Sequence, residues 1–189
     1  GSGFIAGGWL YTNEHVIRDA NKIIAKKLSG EAITFVSTNA SNQGGNSNGS
    51  FDIWLEVAVD RDLARIKVAD SSGLNTAAGT VNIGQKVWTF GNSDGGAVAT
   101  NLRGEVIGVG PDSIEVDIPF VQGNSGGAIL TEKGEVCGVV TFATINKETD
   151  NWIKSGTRFN EVRRFGLTLN GAQWTPIQWN GYVNRCKKL

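Results

Sequence analysis

Apolar and polar positions alternate along most of this chain in short runs broken by turn residues. The runs are "AITFV" (32–36), "IWLEVAV" (53–59), "ARIKVA" (64–69), "QKVWTF" (85–90), "SIEVDI" (113–118) and "EVCGVVTF" (135–142). Within the third, Ala64, Ile66 and Val68 alternate with Arg65 and Lys67, the period of a strand with one buried face. Runs of this length at this spacing predict an all-β sandwich or barrel, and helical periodicity is too scarce for parallel βαβ units. One segment predicts a helix: "TRFNEVRRFGL" (157–167), with Phe159, Val162 and Phe165 at i, i+3 and i+6. "STNASNQGGNSNGS" (37–50), with sequons at Asn39 and Asn48, predicts a long exposed loop.

Glycine makes up 26 of 189 residues, about twice the usual share of roughly 7%. A stretch such as Gly123-Asn124-Ser125-Gly126-Gly127 could therefore be an ordinary turn. The same stretch also fits a serine nucleophile on a tight backbone. A serine hydroxyl needs a base beside it, usually histidine, and the chain has one, His15. No histidine follows Ser125, which excludes the Ser–acid–His order of α/β-hydrolases. Before His15 the only acid is its neighbour Glu14, which excludes the acid–His–Ser order of subtilisins. What remains is His, acid, Ser. The intervening aspartates are Asp19, Asp52, Asp60, Asp62, Asp70, Asp94, Asp112 and Asp117. Asp62 has the parity of the apolar face Ala64–Ile66–Val68 and sits at its entrance. Asp60 shares that parity and is the reserve.

These motifs together resemble the trypsin/chymotrypsin-like serine proteases, in particular their Deg-type bacterial and viral branch. "GSGF" (1–4) followed by "TNEHV" (12–16) matches the segment that carries the family's histidine. Asp62-Leu63-Ala64 matches its Asp-Leu-Ala motif, and "GNSGG" (123–127) its nucleophile. The resemblance implies two antiparallel six-stranded-type barrels, with the active site in the crevice between them and a short C-terminal helix. The first barrel would span 1–72 and the second 73–189, with "SSGLNTAAGT" (71–80) connecting them and both forming one protease domain. The strand that the family has before "GSGF" is missing, so another segment or chain could supply it.

By the same resemblance, His15, Asp62 and Ser125 form the triad, and the N–H groups of Gly123 and Ser125 the oxyanion hole. The substrate would lie against Pro119, Phe120, Gln122, Val140, Thr141, Phe142 and Ala143. Pro119, six before Ser125, takes the place where trypsin-like enzymes carry Asp for a basic side chain. The expected P1 residue is therefore uncharged and small to medium. Arg158, where the second pocket strand returns, is the reserve in favour of an acidic P1. The residue before the serine is Asn124, and its neutral amide cannot pair with a freshly cleaved N-terminal ammonium.

The remaining features narrow the function classes. The 18 basic and 18 acidic residues balance, with no basic block for a nucleic acid. No apolar run approaches the length of a membrane span. One His with the distant Cys137 and Cys186 makes no zinc site of normal spacing, and the chemistry needs no cofactor. Whether the two cysteines bridge is open at this level. The absence of methionine suggests a processed or excised chain, either extracytoplasmic or secreted, or cut from a larger polyprotein. The partner expected is a protein or peptide substrate. The competing function is a protease-fold binding module that has lost catalysis.

Overall fold

The computed structural model describes residues 1–18, 20, 22–38, 53–144 and 162–177. It is built almost wholly of antiparallel strands. In chain order these are β1 (Phe4–Ala6), β2 (Trp9–Thr12), β3 (Leu55–Ala58), β4 (Ala64–Lys67), β5 (Lys86–Gly91), β6 (Thr100–Val109), β7 (Ser113–Val116), β8 (Ala128–Thr131), β9 (Val136–Thr144), β10 (Arg163–Leu167) and β11 (Trp174–Ile177). One helical turn, α1 (Glu14–Ile17), follows β2.

The strands form two sheets. The second half closes into a six-stranded barrel in the order β10-β7-β6-β5-β8-β9. The first sheet has five strands among the described residues, in the order β1-β2-β4-β3-β11. Its outer strand β11 returns from the far end of the chain to pair with β3, setting Trp174 opposite Ala58. The 71–80 connection is tied to both halves: Leu74 N–H bonds Ile5 O, and Ala77 N–H bonds Val136 O.

The helix predicted over 157–167 is corrected. Residues 157–161 lie outside the described residues, and Arg163–Leu167 is the strand that closes the barrel between β7 and β9. Alternation wins over the i, i+3 spacing there. Arg163 forks onto Glu115 at 2.8 Å for each bond, and Phe165 stacks on Phe142 with centroids 4.9 Å apart. The run 32–36 makes only isolated bridges, such as Phe35 to Val68.

Three apolar clusters hold the fold. Val87, Val106, Ile114, Val116, Ile118, Ile129 and Val140 fill the barrel. Leu55, Val57, Ala64, Ile66 and Ile17 lie under the first sheet. The third cluster is shared: Phe4, Ala6, Tyr11 and Leu63 of the first half pack on Ala128, Leu130, Val136 and Val139 of the second. This shared core, removed from water on both sides, fixes the two halves against each other. Arg61 reinforces it. Its side chain, 5% exposed, pairs with Asp60 and Asp112 and donates to Thr168 O at 3.0 Å and Asn170 O at 3.1 Å. No helix among the described residues is long and apolar enough to cross a membrane.

Candidate active site

Strand β2 ends at Thr12 and delivers the chain into α1, so His15 projects from a single helical turn at the edge of the first sheet. The turn before β4 brings Asp62 to meet it. Asp62 grips His15 twice: Oδ1 accepts the His15 backbone N–H at 2.8 Å, and Oδ2 lies 2.5 Å from Nδ1. A carboxylate only accepts, so Nδ1 carries the proton and Nε2 is left as the free acceptor. Asp60 is engaged elsewhere, with Arg61 and with Gln173 N–H at 3.2 Å. The hydrogen bond from Arg61 holds the Asp60 carboxyl below its ordinary range.

Asn13, just before the turn, is fully buried. Its Nδ2 donates to Asp62 O at 2.9 Å and to Thr141 Oγ1 at 3.1 Å, reaching across to the second half. Ser125 arrives at the same threonine: its Oγ donates to Thr141 O at 3.3 Å. No hydrogen bond joins Ser125 to His15. The two sides of the site meet at Thr141.

The backbone around Ser125 explains its glycines. Gly123 and Gly126 have φ of +91° and +89°, where L side chains are strained. A Cβ on Gly123 would lie 2.1 Å from Asn92 O, and one on Gly126 2.1 Å from Ser2 O. Gln122 O accepts Asp94 N–H at 2.7 Å. Across that trans peptide the Gly123 N–H points the opposite way. Neither the Gly123 nor the Ser125 N–H donates to any described residue. Two neighbouring free donors beside a serine are the arrangement that binds an oxyanion. Asn124 is fully buried, and its Oδ1 accepts Val121 N–H at 3.0 Å and Ser93 Oγ at 3.1 Å.

Ser2 clasps this loop from the first half. Its N–H donates to Ser125 O at 2.8 Å and its Oγ to Gly123 O at 2.8 Å. The same Oγ accepts Asn92 N–H at 3.0 Å, while Thr12 Oγ1 donates to Ser2 O at 2.8 Å. The serine of "GSGF" is thus part of the frame of the Ser125 loop, whereas sequence reading used it only to locate the histidine. Asn13 and Arg61 were missed because most of their partners are distant in sequence.

The residues expected to bind substrate scatter more widely. Pro119, Gln122 and Ala143 are exposed, whereas Phe120 and Val140 lie in the barrel core. Thr141 is buried beside Ser125, and Phe142 is half exposed on Phe165. Beyond the end of β8, the edge of Thr141–Thr144 facing the serine has no strand partner among the described residues. Arg158 and Cys186 lie outside the described residues. Cys137 is a free thiol.

Comparison with known proteins identifies the family. Residues 1–139 match the family described as trypsin-like peptidase domain. A probable periplasmic serine protease, do/HhoA-like, of Haemophilus influenzae is 28% identical over 92% of this chain and 40% of its own length. The periplasmic serine endoprotease DegP of Salmonella typhimurium is 26% identical over 92% and 39%. The chain therefore spans about two fifths of the length of these curated relatives. The serine endoprotease from Yersinia pestis superposes with a TM-score of 0.60 at 26% identity, covering 89% of this chain and 53% of that one. A match over residues 1–139, with this fold, means that the chain belongs to the trypsin-like serine protease family.

Proposed function

We propose that this chain is a serine endopeptidase domain working through a His15–Asp62–Ser125 triad. The observation that carries the reading is the double grip of Asp62 on His15, which leaves Nε2 as the free base. Ser125 Oγ attacks the peptide carbonyl and His15 Nε2 takes its proton. The N–H groups of Gly123 and Ser125 hold the oxyanion of the tetrahedral intermediate. His15 then protonates the leaving amine, the C–N bond breaks, and an acyl-enzyme remains. Water, deprotonated by His15, releases the acid and regenerates Ser125.

The substrate adds as an antiparallel strand along the open edge of Thr141–Ala143. A substrate N–H donated to Thr141 O would compete with the Ser125 hydroxyl and turn it toward His15. Catalytic hydrogen bonds often form only in the loaded enzyme, which fits a Ser125 that rests on Thr141. Residues 1–72 and 73–189 act as one protease domain, on protein or peptide substrates. The periplasmic relatives support an extracytoplasmic place of action.

Two pocket readings come from the sequence. An uncharged P1 draws on Pro119, Phe120 and Val140, of which Pro119 is exposed and the others are packed in the core. For an acidic P1 the sequence points to Arg158, which lies outside the described residues; on the described part of the returning strand the arginine with a specific observation behind it is Arg164.

A fluorophosphonate probe should label the wild type and leave folded Ser125→Ala unlabelled. A folded wild type that neither labels nor cleaves an unfolded protein would establish the binding module instead.

A further inference from the structure

We infer that Arg164 selects substrates with a carboxylate side chain at P1; the inference rests on the peptidase reading above. Arg164 stands directly opposite Val116 on β7 and Ala143 on β9. Directly opposed residues in a sheet share a face. Val116 is 1% exposed and belongs to the barrel interior, so Arg164 projects to that side. Its neighbours Arg163 and Phe165 take the outer face, on Glu115 and Phe142. The next inward position is Gly166, where a Cβ would lie 2.3 Å from Ile129 Cδ1. The barrel is closed at that level, and Arg164 sits one step nearer its mouth.

The guanidinium lies between the two segments that flank the reaction. Nε donates to Phe120 O at 2.9 Å, at the start of the stretch that ends in Ser125. On the other side Ala143 belongs to the strand whose Thr141 O holds Ser125 Oγ. A P1 side chain entering beside Ser125 passes between these segments and meets Arg164.

No described carboxylate meets its charge. Four described arginines are half buried: Arg61, Arg65, Arg163 and Arg164. The first three each pair with a carboxylate, Asp60 with Asp112, Glu56 and Glu115 respectively. Among the described residues Arg164 reaches only two neutral carbonyls, Phe120 O and Val162 O, the latter at 3.3 Å. A guanidinium partly out of water and without an anion is costly to hold. A substrate carboxylate would supply the missing charge through hydrogen bonds to the planar fork. A basic P1 would meet like charge.

The test is a set of fluorogenic peptides differing only at P1 (Glu, Asp, Gln, Leu, Lys), assayed on the wild type and on Arg164→Gln. The glutamine keeps an N–H for Phe120 O and removes the charge. Fluorophosphonate labelling of both proteins reports on the triad separately. The expected result is a wild-type preference for Glu or Asp over Gln of about 100-fold in kcat/KM, collapsing to near one in Arg164→Gln. A wild type that prefers Leu or Lys overturns the inference while leaving the peptidase reading intact. So does an Arg164→Gln variant that lowers every peptide equally, which would make Arg164 a brace for Phe120 alone. Failure of the wild type to label overturns both.

Discussion

The half that carries His15 and the half that carries Ser125 are built differently. His15 sits on one helical turn at the edge of an open five-stranded sheet, with its side chain 40% exposed, and a side chain, Asp62, positions it. Ser125 sits against a closed barrel, and the backbone positions it: two glycines at positive φ, the carbonyls of Gln122, Gly123 and Ser125, and the clasp from Ser2. A side-chain support can be removed while the chain path survives. A backbone support cannot, because any Cβ added there displaces the loop itself. Chemistry should therefore be lost without stability in the first half, and both together in the second.

The sharpest way to break this contrast is Asp62→Asn. Loss of the carboxylate frees His15 to adopt the wrong tautomer, and kcat should fall by about 10⁴ with the melting temperature little changed. Asp60→Asn, whose partners are Arg61 and Gln173, should retain most of the activity. Stopped kinetics of both variants check this, and a dead Asp60→Asn beside an active Asp62→Asn would reverse the acid assignment.

The loop side should respond differently. Gly126→Ala would place a methyl 2.1 Å from Ser2 O at a φ of +89°, so loop and clasp must move. An activity loss of about 100-fold should come with a lower melting temperature, as strain takes about 1–3 kcal/mol from the stability. Ser2→Ala is milder. It removes the Oγ bonds to Gly123 O and Asn92 N–H but keeps the N–H bond to Ser125 O. A fall of about 10-fold, in kcat rather than KM, is expected for a loosened oxyanion frame. A Ser2→Ala effect confined to KM would place Ser2 outside that frame.

The same division explains what could be read from the chain. Alternation gave away the buried strands, as at Ala64–Lys67, and the motif residues of the Ser125 loop carry their own backbone demand in the glycines. The wrong helix came from the same limit in reverse: Phe159, Val162 and Phe165 suggest a period, but the alternation Arg163-Arg164-Phe165-Gly166 fits the gap left between β7 and β9. Ser2, Asn13 and Arg61 act mainly through partners 49 to 128 positions away or through carbonyls that any residue could provide, so nothing local marks them. Arg158, the arginine expected on the returning chain, lies outside the described residues; the inward parity of Arg164 depends on the register of β10, which no local pattern shows.

The smallest expected effect concerns Cys137, on β9 in the barrel wall. Its Sγ donates to Ile129 O at 3.3 Å, and burial pushes the thiol up to about 12. At pH 8 a thiol of that acidity is about one part in 10⁴ thiolate, which is the reactive form. In a Cys186→Ser variant the native protein should therefore resist a thiol reagent at pH 8. The informative measurement adds urea. Peptidase activity needs the open first sheet, whereas Cys137 reports the closed barrel. If closure makes the barrel the more resistant unit, activity should vanish at a urea concentration where Cys137 is still protected. Coincident loss of both would mean that the shared core of Phe4, Tyr11, Leu63, Leu130 and Val139 couples the halves into one cooperative unit. The contrast between side-chain and backbone support would then be confined to the active site and would not extend to the stability of the two sheets.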